Sequence, residues 1–187
     1  MNYLIIDTSC DCLTIALKKD NKLFGYKSEQ NRKGHSTVLL PAINDLLVES
    51  NLKISDIDFF GAVVGPGSFT GVRVGVATVN AFGYSTSKPV ISVTAFEPFT
   101  YNMQAGSVAI DGKHAYFVAN VLSENKLEYY TKEEYILPND CSLLNPNNIT
   151  PEMLASIMEY KIENKIFDKE IRPFYMRESE AERNLKK

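Results

Sequence analysis

Apolar residues come in short runs at the start of the chain. Tyr3-Leu4-Ile5-Ile6 is closed by Asp7-Thr8-Ser9, the pattern of a strand buried on both faces and followed by a turn. Residues 12–17 repeat that pattern, 19–22 form a polar turn, and 23–26 open a third strand. Two links this short predict an antiparallel meander. The period then changes. Val38, Leu39, Ile43, Leu46 and Leu47 fall at helical spacing, with Ser36 as the expected cap. Pro41 must lie in the first turn or kink the helix. Residues 55–58 read as a loop and 59–64 as a buried strand, which runs into Gly65-Pro66-Gly67-Ser68-Phe69-Thr70-Gly71. Val72, Val76, Val79 and Gly83 share one face of the helix that follows. Residues 90–93 are a further strand. Thr94 and Glu97 have capping-box spacing for a helix reaching Met103.

Three strands followed by helix, strand, helix, strand, helix imply an α/β fold, a mixed sheet with helices on its faces. This is the order of the ribonuclease-H-like (actin-like ATPase) fold. The remainder reads differently. Residues 108–111, 116–122 and 128–137 are strand candidates, 138–151 is a long loop rich in Asn, Asp and Pro, and 151–160 is a short helix. The expected division is an N-terminal lobe over 1–104 and a smaller, shortened C-terminal lobe over 105–187.

The chain has 187 residues, 44% hydrophobic and 23% charged, which suits a globular protein with a real core. The net charge is −3. A protein that grips an RNA backbone directly carries a basic face, so contact with RNA is expected only through a partner. Cys10, Cys12 and Cys141 form neither a disulfide framework nor a zinc spacing. Reduced thiols in the cytoplasm are the expectation. No apolar run approaches the ~18 residues that cross a membrane.

The 65–71 loop lies between a strand and a helix, where glycines allow positive φ and exposed amides can hold an anion. It lacks the Gly-Lys-Ser/Thr of a P-loop and the third glycine of a dinucleotide fingerprint. It is either a tight structural turn or an unusual anion site. Asp7-Thr8-Ser9 is likewise either a turn with local hydrogen bonds or a phosphate-side turn of the actin-like kind. Asp7, Thr8, Ser9, Gly65, Gly67 and Ser68 are therefore the candidate anion or nucleotide site. His35 and His114 are far apart and make no metal spacing. Ser68 lacks the Gly-x-Ser-x-Gly elbow of a hydrolase nucleophile.

Two helices seek more cover than one core face provides. The first is apolar around much of its circumference. The second carries Gly75 and Gly83 in its interior, each costing about 1 kcal/mol against alanine. Close approach by another backbone, internal or from a second chain, offsets that cost.

Asp7-Thr8-Ser9, Gly34-His35-Ser36 with Leu39-Leu40-Pro41, residues 65–75, and Arg172-Pro173-Phe174-Tyr175-Met176-Arg177 with Glu180-Ala181-Glu182 together resemble the TsaB (YeaZ) family. They stand in the family's order and cover the chain from end to end, and Gly-Pro-Gly-Ser-Phe-Thr-Gly is quite specific to it. Lys113 stands where the family has arginine, and the second lobe is shorter than usual. The resemblance implies a degenerate actin-like fold in a non-catalytic subunit. Its TsaD-like paralogue transfers threonylcarbamoyl to tRNA, at the adenosine next to the anticodon. It further implies a TsaE-like ATPase and TsaC as co-workers, and a homodimer when alone. It implies no cofactor of the chain's own, with ATP or ADP in the complex. The His-x-x-x-His pair of TsaD is absent, since Leu39 follows His35 at that spacing. The helices that bind the paralogue correspond here to His35, Leu39, Leu40, Ile43, Leu47, Gly71, Val72, Gly75, Val76 and Val79. The rival readings are an ATP-binding phosphotransferase or ATPase using Asp7 and the 65–71 loop, and a peptidase acting on the partner, for which no nucleophile–base pair can be named.

Overall fold

The computed structural model describes residues 1–28, 34–113, 115–123, 126–133, 135–137 and 139–176. The three N-terminal apolar runs become β1 (Asn2–Asp7), β2 (Thr14–Lys19) and β3 (Lys22–Lys27), paired antiparallel. Then follow α1 (His35–Ser50), β4 (Phe59–Val63), α2 (Phe69–Thr86), β5 (Val90–Val93) and the single-turn α3 (Glu97–Thr100). β4 joins β1 in parallel and β5 joins β4 in parallel, giving a five-stranded mixed sheet of order β3-β2-β1-β4-β5. A second, four-stranded sheet is built from β6 (Gly106–Asp111), β7 (Tyr116–Ser123), β8 (Lys126–Lys132) and β9 (Cys141–Leu144), in the order β8-β7-β6-β9. The last helix is α4 (Pro151–Glu163).

β1 shows why the first sheet needs cover on both faces. Its residues alternate direction. Leu4 and Ile6 enter a core shared with α1 and α2, from which Leu39, Ile43, Val72, Val76 and Val79 project. Tyr3 and Ile5 enter a second core shared with Leu154, Ile157 and Met158 of α4 and with Val108, Ile110 and Ala119 of the second sheet. All four β1 residues are fully buried. Polar ties reinforce the second core. Tyr3 Oη donates to Glu159 at 2.9 Å, and Lys18 Nζ pairs with the same carboxylate at 2.7 Å. Lys161 on α4 pairs with Glu97 at 2.7 Å and donates to the Ser92 carbonyl.

Local expectations fail where tertiary contacts override them. α1 is capped by Gly34, not Ser36, and has no side-chain cap; Pro41 sits inside it. His35 is drawn into the helix by its Nε2, which lies 2.7 Å from the Cys10 carbonyl. The expected loop at 55–58 contains a 3-10 turn, Ile54–Asp56. The helix expected to reach Met103 stops at Thr100, and Gly106 at φ +133° starts β6. Glu97 still accepts from the Thr94 amide, half of the expected capping box. β8 ends at Lys132, short of residue 137. The segment read as a long loop holds β9 and a 3-10 turn, Pro146–Asn148, because β9 pairs with the distant β6. Among the described residues no helix is long and apolar enough to cross a membrane.

Candidate functional site

β1 and β4 are neighbouring parallel strands, so the segments that leave their C-terminal ends lie side by side. In open α/β sheets ligands gather at such ends. Here the 7–9 turn and the 65–71 loop bind each other. The Ser68 amide donates to the Ser9 carbonyl at 2.7 Å, and Thr8 Oγ1 donates to the Gly71 carbonyl at 2.7 Å. The approach is too close for side chains. A Cβ at Gly67 would overlap the Ser9 carbonyl, and one at Gly71 the Thr8 carbonyl. At Gly75 it would lie 2.5 Å from Thr8 Oγ1. Gly65 has φ +112°, the left-handed region that favours glycine, and its carbonyl accepts from Ala95 at 2.8 Å. The C-terminal segment closes over the loop, with the Phe174 amide donating to the Val64 carbonyl at 2.8 Å.

Asp7 is fully buried at the base of this junction. Its Oδ1 accepts from the Ser9 amide at 2.8 Å. Asp7 Oδ2 and Ser9 Oγ have no partner among the described residues. Burial pushes the Asp7 carboxyl up, against the opposing pull of its bond from the Ser9 amide and of the His35 and Lys27 charges. Burial likewise raises the Cys10 thiol, the reverse of what a reactive cysteine needs.

The candidate anion residues are thus brought together, and several of their donors are engaged with one another. The Ser68 amide is held by Ser9, the Gly71 amide by Ser68 Oγ at 3.2 Å, and the Val72 amide by the Ser68 carbonyl. A buried carboxyl lies behind them. The loop fastens the turn after β1 to the start of α2.

The candidate partner residues separate into two groups. Leu39, Ile43, Gly71, Val72, Gly75, Val76 and Val79 face the chain's own core or the 7–9 turn and are buried. They offer no surface, which corrects the sequence expectation. The glycine-bearing face of α2 is matched internally, by Thr8. His35 and Leu47 are half-buried, and Leu40 is 55% exposed. The outward faces carry side chains outside the ten candidate partner residues. On α1 these include Val48, 72% exposed, and on α2 Phe69, Arg73, Ala77, Ala81 and Tyr84, the last 91% exposed. Arg73, Ala77, Ala81 and Tyr84 recur at helical spacing opposite the valines, a signal present in the sequence. α1 and α2 touch on the same face of the first sheet, so these exposed faces adjoin.

The model of the family described as TsaD: tRNA N6-adenosine threonylcarbamoyltransferase matches residues 17–182. The chain belongs to the TsaD family. Among curated relatives of this family member is tRNA threonylcarbamoyladenosine biosynthesis protein TsaB of Bacillus subtilis strain 168. It is 32% identical over 102 residues, 54% of this chain and 44% of the relative. The protein of the same name from Escherichia coli K12 is 32% identical over 94 residues, 50% of this chain and 40% of the relative. The chain thus spans less than half the length of these curated relatives in the alignments. A crystal structure from Pseudomonas aeruginosa, described as an uncharacterized protein with similarity to peptidase YEAZ, superposes with a TM-score of 0.77. It is 21% identical, covering 94% of this chain and 99% of that one, a likeness of fold. The family resemblance read from the motifs and the α/β, actin-like architecture are both supported.

Proposed function

We propose that this chain is a non-catalytic subunit that binds and activates a TsaD-type threonylcarbamoyltransferase, in threonylcarbamoyladenosine modification of tRNA next to the anticodon. The observation that carries the reading is the pair of adjoining outward faces on α1 and α2. Leu40, Val48 and Tyr84 are each more than half exposed there. Large apolar side chains left exposed on neighbouring helices fit an interaction surface. The curated relatives named for threonylcarbamoyladenosine biosynthesis supply the pathway. Contact with tRNA runs through the partner, consistent with a net charge of −3. A TsaE-like ATPase belongs to the same assembly, nucleotide is held by the complex, and the same faces pair two copies when the partner is absent. The cytoplasm is the expected compartment. A catalytic role is disfavoured by the site itself, where Ser68 Oγ caps α2 and Asp7 is sealed from solvent.

The test is to mix the purified chain with the TsaD-like protein of the same source and measure mass by light scattering. A heterodimer that forms at the expense of any homodimer supports the reading. No association, with or without ATP, overturns it.

A further inference from the structure

α2 runs from Phe69 to Thr86 and carries a single charged side chain, Arg73. That side chain is held in place. Its guanidinium carbon lies 3.9 Å from the Phe69 ring centroid, a cation–π contact. Its Nε donates to Tyr175 Oη at 2.8 Å. Phe69 and Tyr175 are stacked on one another, centroids 5.0 Å apart at 24°. Tyr175 in turn sits on the C-terminal segment, which is fixed at Phe174 by Val64 and at Met176 by Thr131 Oγ1.

All of this engages the rings and Nε. Among the described residues no acceptor bonds the two Nη groups, and no carboxylate lies within ion-pair distance of them. Arg73 is exposed. A guanidinium with its face stacked, its Nε bonded and its Nη edge open is pre-organised to take a carboxylate bidentately, with less rotamer freedom left to lose. Beyond it along α2 come Ala77 and Ala81, small enough for a backbone to approach, and then the exposed ring of Tyr84.

We infer that Arg73 is the charged anchor of the docking face and receives an acidic side chain, Asp or Glu, of the partner subunit. Tyr175 and Phe69 act as positioning residues. This rests on the docking reading given above. Charge complementarity identifies the partner's chemistry: an otherwise uncharged helix face with one fixed cation matches an apolar surface carrying one carboxylate.

The experiment measures the affinity of the full chain for the TsaD-like partner at several salt concentrations, for wild type and for Arg73→Gln, Arg73→Lys and Tyr175→Phe. Thermal midpoints are recorded alongside, and Leu40→Asp and Tyr84→Asp serve as reporters of docking itself. Arg73→Gln is expected to weaken binding by about tenfold or more and to flatten its salt dependence. Arg73→Lys, which keeps the stem and the charge, retains the salt dependence but recovers only part of the affinity. Tyr175→Phe leaves the salt dependence intact and weakens binding about threefold, through the loosened fork. If both reporters abolish binding while Arg73→Gln binds like wild type at every salt concentration, Arg73 merely pins the C-terminal segment and the inference is wrong. If the reporters bind like wild type, the docking surface itself is misassigned.

Discussion

The Thr8 hydroxyl donates to the Gly71 carbonyl at 2.7 Å, fastening the turn after β1 to the first turn of α2. The same contact leaves no room at residue 71, where a Cβ would overlap the Thr8 carbonyl oxygen. Gly71→Ala is expected to lose about 1–3 kcal/mol of stability through overpacking, read by urea denaturation. Gly75→Ala follows the same direction, because its Cβ would face Thr8 Oγ1 at 2.5 Å. Any loss of partner binding in these variants should track the loss of fold. A Gly71→Ala protein as stable as wild type would refute the close approach.

Burial lifts the Asp7 carboxyl above its ordinary range. A raised folded value means the folded state holds the proton more tightly than the unfolded one. That contribution to stability is complete below the unfolded value of about 3.9 and is lost as pH rises through the raised folded value. Asp7→Asn does not titrate and escapes the loss. The melting temperature of Asp7→Asn minus that of wild type should therefore grow from about pH 4 to about pH 7. A difference that is flat across this window would mean that Asp7 is ionised and compensated in the folded protein.

Leu40 and Tyr84 project from α1 and α2 without supporting the core. Leu40→Asp and Tyr84→Asp should leave the melting temperature within about 2 °C of wild type, as exposed substitutions do. Each should reduce formation of the heterodimer on light scattering by at least about tenfold, since a charge is placed in an apolar contact. Val79→Asp should fail earlier, by unfolding, because Val79 is fully buried.

The Lys161–Glu97 pair ties α4 to α3 in a little-exposed setting, with side-chain exposures of 10% and 19%. Lys161→Met alone leaves Glu97 without its cation and should cost about 3 kcal/mol. Adding Glu97→Gln should restore part of that loss, because the uncompensated charge is gone and Gln still accepts from the Thr94 amide. A double-variant cost equal to the sum of the Lys161→Met and Glu97→Gln single costs, measured by chemical denaturation, would show that the pair is uncoupled.

Much of the first sheet was legible because its signals are local. Apolar runs at 3–6, 59–64 and 90–93 became β1, β4 and β5, and the spacing of Val72, Val76 and Val79 placed the buried face of α2. β9 was not legible. Cys141-Ser142-Leu143-Leu144 is short, and its pairing partner is β6, a neighbour in space and not in sequence. The site was half legible. The glycines at 67, 71 and 75 announced a close approach, but the neighbour, the 7–9 turn of the same chain, is set by the pairing of β1 with β4. Reading the apolar helix residues as surface put Leu39, Ile43 and Val76 on the wrong side. Their helical spacing says that they share a face, and nothing in it says whether that face meets a core or a partner. Arg177, Glu180, Ala181 and Glu182, which also carried the family resemblance, lie outside the described residues, as does His114.

The order of synthesis gives α4 a further significance. Tyr3 is synthesised well before the atoms its hydroxyl meets, at Ala155 and Glu159, which are made some 150 residues later. Until then Tyr3, Ile5 and Ala16, which end fully buried, lack the helix that covers them. The nascent first sheet is therefore an apolar surface awaiting its lid. Contacts this distant in sequence slow folding and lengthen the time for which such surface can associate wrongly. Truncation ahead of Pro151 should produce not a smaller working protein but an aggregating one.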